Sequence, residues 1–349
     1  MTIRSWAHGS FALFVGLCSF LAQPAASQAI QLLVADRLSD AVFRYDENGV
    51  YRGVVLSDPD GSDPGVGGPD DYLNEPAGVA VSPDGTKLYV SSSANSRLVQ
   101  YDYSTATGKA TNPTILAEGP LQGLAFPNAI RFSSNGSKFY VSNLGGTGIA
   151  QFNADGTSAG PAINGLIGGG SIFQYSGLEF APTGELLVGG FDSFPTAGNG
   201  AVAKSDSSLS FISDFIGSSP ALYGASGLMV HDNFLYVSSM FTFSIQRYDL
   251  VTGAVDPNFG IVGVPFPQQI TAAPDGNGFL LGVLANNDGE GYIERYGFDG
   301  TYLGRFIENG GPGFSEATAF AIAVPEPTSL LLGAALGLIS LTVRCRCAS

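Results

Sequence analysis

Side chains able to bind a cation or move a proton are few in this chain and fall in three places. Asp58-Pro59-Asp60-Gly61-Ser62-Asp63, continuing to Asp70 and Asp71, sets alternate carboxylates around a glycine turn, the order in which calcium loops present oxygen ligands. It lacks the bidentate Glu that closes such a loop, and its neighbouring glycines and prolines read as a solvated connection. Glu75, Asn128 and Glu316 form a second set, far apart along the chain, that a closed ring of repeats would gather at one opening. His231 is the third, the only imidazole beyond residue 29, set in a turn beside Asp232 and Asn233 where a general base is misplaced. Serine is abundant, but Ser-His-Asp chemistry has no other base to use.

What would position these residues is a unit that recurs along the chain. Its first strand reads Pro76–Val81, Pro127–Phe132, Tyr175–Phe180, Ala225–Val230, Pro267–Ala272 and Ala317–Ile322. Counted from Gly78 through Ala129, Gly177, Gly227 and Gln269 to Ala319, the steps are 51, 48, 50, 42 and 50 residues. Turn signals such as Pro83-Asp84-Gly85 and Pro274-Asp275-Gly276 follow, then a short apolar strand such as Leu88–Ser91 or Leu235–Ser238, then a third ending in Tyr101, Tyr248 or Tyr296. Four strands per unit at this period predict an all-β fold, a six-bladed β-propeller. Leu32–Ala35, Ala41–Tyr45 and Tyr51–Leu56 supply a blade that lacks its first strand, and Ala317–Ala323 is expected to provide it, closing the ring.

At the opening where the first strands begin, the ring of residues reads Ala77, Asn128, Ser176, Ser226, Gln268 and Thr318, with no carboxylate. Two residues earlier it reads Glu75, Phe126, Gln174, Gly224, Phe266 and Glu316. Glu316 and Glu75 then lie on neighbouring blades beside the one carrying Asn128, which makes the three a candidate site for one cation, with solvated loop carboxylates as the plainer alternative.

Pro76-Ala77-Gly78-Val79-Ala80-Val81-Ser82-Pro83-Asp84-Gly85 with Leu88-Tyr89-Val90 resembles the six-bladed NHL-repeat and gluconolactonase-like propellers. The resemblance covers about residues 30–323 and marks architecture more than activity. It implies a divalent cation held at the channel mouth by Glu, Asn and Asp side chains, and Phe126-Pro127-Asn128-Ala129 looks like the Asn-bearing motif.

The ends carry a different message. Met1–Ala29 has a charged start at Arg4, an apolar run Phe11–Leu21 and small residues before a cut after Ala29, the pattern of a secretory signal peptide. Residues 324–349 carry Pro325-Glu326-Pro327, the apolar run Ser329–Val343, then Arg344 and Arg346. This tail resembles the PEP-CTERM sorting signal of Gram-negative bacteria, apart from Cys345 and Cys347 among its basic residues. The resemblance implies export, transient holding in the inner membrane through a short hydrophobic helix, and processing by an exosortase-type enzyme, leaving the body at the cell surface or outside the cell.

Between those ends, residues 30–323 contain no cysteine, so no disulfide framework or thiolate metal site can form there. They hold 12 basic and 29 acidic residues, a net charge of −17 that argues against nucleic acid or an anionic membrane surface as partner. The reading that follows is an exported, non-catalytic propeller that binds a protein or polysaccharide partner. The alternative is a divalent-cation-dependent lactonase or hydrolase, with calcium as the cofactor considered, and a purely structural surface component is the third class.

Overall fold

The computed structural model describes residues 30–57, 72–146, 148–163, 174–192, 198–206, 212–284, 291–308 and 317–323. Six antiparallel sheets share residues 29–327 as one compact unit, a six-bladed propeller. The first blade joins β1 (Gln31–Asp36), β2 (Ala41–Asp46) and β3 (Tyr51–Ser57) to β23 (Ala317–Ala323). The second holds β4 (Pro76–Val81), β5 (Lys87–Ser92), β6 (Arg97–Ser104) and β7 (Lys109–Glu118). The third has β8 (Pro127–Phe132), β9 (Lys138–Asn143) and β10 (Ile149–Asn153); its expected fourth strand appears among the described residues only as isolated bridges, Ile149 to Ile163 and Phe152 to Ser158. The fourth holds β11 (Gln174–Phe180), β12 (Leu186–Phe191), β13 (Gly200–Ser205) and β14 (Ile212–Ser219). The fifth is β15 (Ala225–His231), β16 (Phe234–Ser239), β17 (Ser244–Asp249) and β18 (Ile261–Val262), and the sixth β19 (Pro267–Ala272), β20 (Phe279–Val283), β21 (Tyr292–Tyr296) and β22 (Tyr302–Ile307).

Closure follows the expected route. β23 pairs antiparallel with β1 from Gln31 opposite Ala323 to Asp36 opposite Ala317, so the start and end of the propeller share one sheet. That pairing removes an open edge that would otherwise invite another strand.

The alternation of each strand explains why the blades stack. Leu33 and Ala35 pack toward the second blade, whereas Leu32 and Val34 pack toward the sixth. The buried residues fall into six clusters, and each lies at a junction between neighbouring blades. Fully burying one large apolar side chain is worth about 1.5–3 kcal/mol, so most of the cohesion comes from neighbours and little from a blade alone.

The repeated Tyr-Val-Ser also acts across junctions. The Tyr89 hydroxyl donates to the Ala154 carbonyl at 2.9 Å, and Tyr236 does the same to Phe298 at 3.0 Å. Arg247 reinforces the second of these junctions, donating to the Phe298 carbonyl at 2.9 Å and to Asp256. Turn carboxylates do local work: Asp46 accepts the backbone N–H groups of Asn48 and Val50 at 2.9 Å, shaping the turn into β3.

One expectation for the C-terminus is corrected. Among the described residues no helix is long and apolar enough to cross a membrane, so the membrane-spanning helix and the inner-membrane holding through it find no support. The fifteen apolar residues Ser329–Val343 on which that expectation fell are fewer than the roughly 20 a spanning helix needs, and they lie outside the described residues. Ala29, Pro325, Glu326, Pro327, Arg344 and Arg346 lie outside the described residues.

Candidate functional site

Every first strand begins at one mouth of the central channel, and in all six blades its pairing slips just after the start. The shifts fall between Pro76 and Gly78, Pro127 and Ile130, Tyr175 and Leu178, Ala225 and Leu228, Pro267 and Ile270, and Ala317 and Ala319. Such bulges re-aim side chains, and here they turn Ala77, Asn128, Ser176, Ser226 and Gln268 to the channel.

Four of these residues form a relay around the wall. Asn128 Nδ2 donates to Ser176 Oγ at 3.1 Å, Ser176 Oγ to Ser226 Oγ at 3.4 Å, and Ser226 Oγ to Gln268 Oε1 at 3.3 Å. Ser176, Ser226 and Gln268 are buried, so the relay is a fixed, neutral hydrogen-bonding arc. The space it encloses is about 30 Å³, room for a water or two, so a larger ligand must sit over the mouth.

The backbones under the relay are clamped from the neighbouring blade. Ser91, Ser142 and Ser238 each donate at 2.5 Å to the carbonyl of Asn128, Ser176 and Gln268 respectively. A methyl group on Gly78, Gly177 or Gly227 would strike the carbonyl oxygen of Asn128, Ser226 or Gln268, so close approach requires glycine at these three positions.

Above the relay lies a strained rim. Glu75, Phe126 and Phe266, each just before a first-strand proline, hold φ of 55°, 49° and 40°, and Gly224 takes the same place in the fifth blade with φ 81°. Left-handed backbone at a non-glycine residue costs on the order of 1–3 kcal/mol and persists where its surroundings impose it. The preceding blade imposes it here: Asp40 accepts the Glu75 N–H at 2.7 Å and Ser96 accepts that of Phe126 at 3.3 Å. The Phe266 ring meets Phe243 edge to face at 5.0 Å.

Glu75 also carries the charge at the rim. Arg37, in the β1–β2 loop, donates Nε and Nη2 to Glu75 Oε2, both at 3.0 Å. Its Oε1 accepts no hydrogen bond among the described residues, and the side chain is 34% exposed. Asp36 and Asp40 lie nearby but are buried, and Asp36 Oδ1 caps its own loop through the Ser39 N–H and hydroxyl. Farther down the channel Arg131 pairs with Glu179 of the next blade at 3.1 Å.

Of the residues singled out in the sequence, Glu75 and Asn128 lie at the mouth, with Glu75 bound to Arg37 and Asn128 to Ser176. Glu316, Asp58, Asp60 and Asp63 lie outside the described residues. Among the described residues no three His, Cys, Asp or Glu side chains gather to hold a metal. His231 ends β15, at the far end of its strand from the mouth, with its ring stacked on Phe298 at 3.4 Å. Sequence reasoning passed over Arg37 and Asp40, and it placed Phe126 and Phe266 in the ring with Glu75 without giving them a role. The one signal for Arg37 and Asp40 is the density of charge in Asp36-Arg37-Leu38-Ser39-Asp40.

No protein-family model matches the sequence, and no curated protein matches it. Solved structures do. A propeller of the nidogen/laminin complex aligns with TM-score 0.62 at 13% identity, covering 84% of this chain and 98% of that one. Regucalcin from Agrobacterium tumefaciens, described as a calcium-binding protein, aligns with TM-score 0.51 at 15% identity over 72% of this chain and 78% of its own. The periplasmic gluconolactonase of Pseudomonas aeruginosa aligns with TM-score 0.51 at 15% identity over 79% of this chain and 82% of its own. The leaning toward a non-catalytic module is thereby corrected, because lactonases are among the proteins built this way. It had rested on the lack of an assembled acid, base or nucleophile, with Glu75 considered only as a cation ligand and its hold by Arg37 not foreseen. At these identities the likeness is one of architecture alone: this chain is a six-bladed β-propeller, and its fold is similar to those of the nidogen/laminin propeller and the periplasmic gluconolactonase.

Proposed function

We propose that this protein is an exported hydrolase of the lactonase class that opens a cyclic ester at the channel mouth. The observation that carries the reading is Glu75, a partly exposed carboxylate fixed in a strained conformation by Asp40 and Arg37 at the edge of the neutral relay. Strained backbone gathers at functional sites, and an oriented carboxylate with one oxygen open can take a proton from a water within hydrogen-bond reach.

In the step proposed, the oxygen of a water attacks the ester carbonyl and its proton passes to Glu75. The ring C–O bond then breaks, and the leaving alkoxide takes a proton back from Glu75. Arg37 holds the carboxylate in place, and the amides of Asn128 and Gln268 offer hydrogen bonds to the substrate oxygens.

The described residues do not by themselves assemble a calcium site. One carboxylate reaches the mouth from them, and a guanidinium already neutralises it, whereas calcium takes 6–8 oxygen ligands, as a rule with several charges among them. A set of Glu75, Asn128 and Glu316 is therefore carried as a proposal in its own right, supported by the calcium-binding relative, and calcium dependence of activity is its test. Export rests on the leader-like Met1–Ala29.

The test is a screen of the purified body against cyclic esters, with and without calcium, comparing wild type with Glu75→Gln. Turnover that depends on Glu75 supports the reading, and its absence across the screen ends it. A second reading, a partner-binding propeller, is supported by the greater likeness to the propeller of the nidogen/laminin complex.

A further inference from the structure

The rim and the relay have a common geometry. Phe126 precedes the third blade and Phe266, backed by Phe243, precedes the sixth; three blades apart in a ring of six, they face each other across the mouth. Phe126 is 54% exposed and Phe243 40%, so apolar surface stands open on both sides. The relay runs between them, from Asn128 on the third blade to Gln268 on the sixth.

Charge narrows the choice of ligand. The body has 12 basic residues, all of them among the described residues, and nine are ion-paired, including Arg37 with Glu75 and Arg131 with Glu179 at the channel. The other three lie away from the mouth. Arg44 donates to the Thr107 carbonyl in the β6–β7 turn, and Lys109 and Lys138 start strands at the opposite end of their blades. No unneutralised cation is left at the mouth to meet a phosphate or carboxylate, and a body of net charge −17 repels both.

We infer that the mouth selects an uncharged ring compound bearing an aryl or alkyl substituent, with the substituent against Phe126 or the Phe243–Phe266 pair and the ring oxygens toward the relay. Phosphorylated and carboxylated rings are excluded. This deepens the lactonase reading and rests on it for turnover, but not for binding.

The experiment compares three lactones of equal ring size: a neutral one with an aryl substituent, the unsubstituted neutral ring, and a phosphorylated ring. Hydrolysis is followed by acid release and binding by calorimetry, for wild type, Phe126→Ala and Phe243→Ala. The aryl lactone is expected to be preferred over the unsubstituted ring by about tenfold or more in kcat/KM, the phosphorylated ring to be inert, and each substitution to reduce the preference. Equal turnover of the phosphorylated ring, or no aryl preference, overturns the inference and leaves the lactonase reading standing. If no lactone is turned over, the lactonase reading falls and calorimetry decides the inference alone. Binding of the aryl compound that weakens in Phe126→Ala and Phe243→Ala then upholds it, and no binding overturns it. Melting temperatures near wild type confirm that both variants are folded.

Discussion

The hydroxyl of Ser142 in the third blade donates to the carbonyl oxygen of Ser176 in the fourth at 2.5 Å, both residues being buried. Ser91 and Ser238 repeat that contact at two other junctions. Leaving a buried carbonyl unsatisfied costs about 1–3 kcal/mol, so Ser142→Ala is expected to lower stability by that order in a chemical denaturation series. Gly177→Ala is expected to cost more, because its methyl group would collide with the Ser226 carbonyl and force adjacent blades apart.

The strain at the rim has a direct signature. Phe126 holds φ 49°, and because Ser96 accepts its N–H and Pro127 follows it, the same backbone is expected in variants at this position. Phe126→Gly and Phe126→Ala remove the same ring, yet glycine is expected to be the more stable by about 1 kcal/mol, the reverse of their order in a strand. Thermal melts of the two variants side by side check this, and equal stability would mean that the left-handed backbone stores no strain.

Acid sensitivity is expected from the turns. Asp249 is held below the usual carboxylate range first by the Thr252 N–H and then by its hydroxyl, and Asp299 likewise by Thr301. A depressed folded pKa means that these contacts stabilise the fold above the unfolded value of about 3.9 and lose that contribution as pH falls through the folded value. The melting temperature is therefore expected to decline below about pH 4, and Asp249→Asn to flatten part of that decline. An unchanged acid slope in the variant would contradict the assignment.

Closure can be tested by truncation. A chain ending at Glu316 loses β23 and leaves β1 with an unpaired edge and Leu33 and Val34 without Phe320 and Ala319 over them. Cooperative unfolding is expected to be lost or strongly weakened in that chain, whereas a chain ending at Ala323 keeps it. Hydrogen exchange of β1 reports the difference at the junction itself.

Blade number, strand order and closure were legible because they rest on patterns that repeat: an apolar alternation, a glycine turn and a Tyr-Val-Ser strand each recur at several junctions. The role of that serine was not legible. Its partner is a carbonyl in the next blade, and no residue type announces a carbonyl acceptor. The ring that carries the relay was legible but its hydrogen bonding was not, since Ser176, Ser226 and Gln268 are ordinary neutral residues until adjacent blades bring them within 3.3–3.4 Å. Phe126 and Phe266 gave no warning of left-handed backbone, a conformation that sequence signals only through Gly, Asn or Asp. Arg37 was invisible as the partner of Glu75 because 38 residues and a blade junction separate them.

The most direct test of a catalytic mouth is the rate of cyclic-ester hydrolysis by wild type and Glu75→Gln at neutral pH, with melting temperatures measured on the same samples. Loss of a general base is expected to cut turnover by about 10²–10⁴-fold while the propeller stays folded. Wild-type turnover in Glu75→Gln, or none in either protein, would contradict the account.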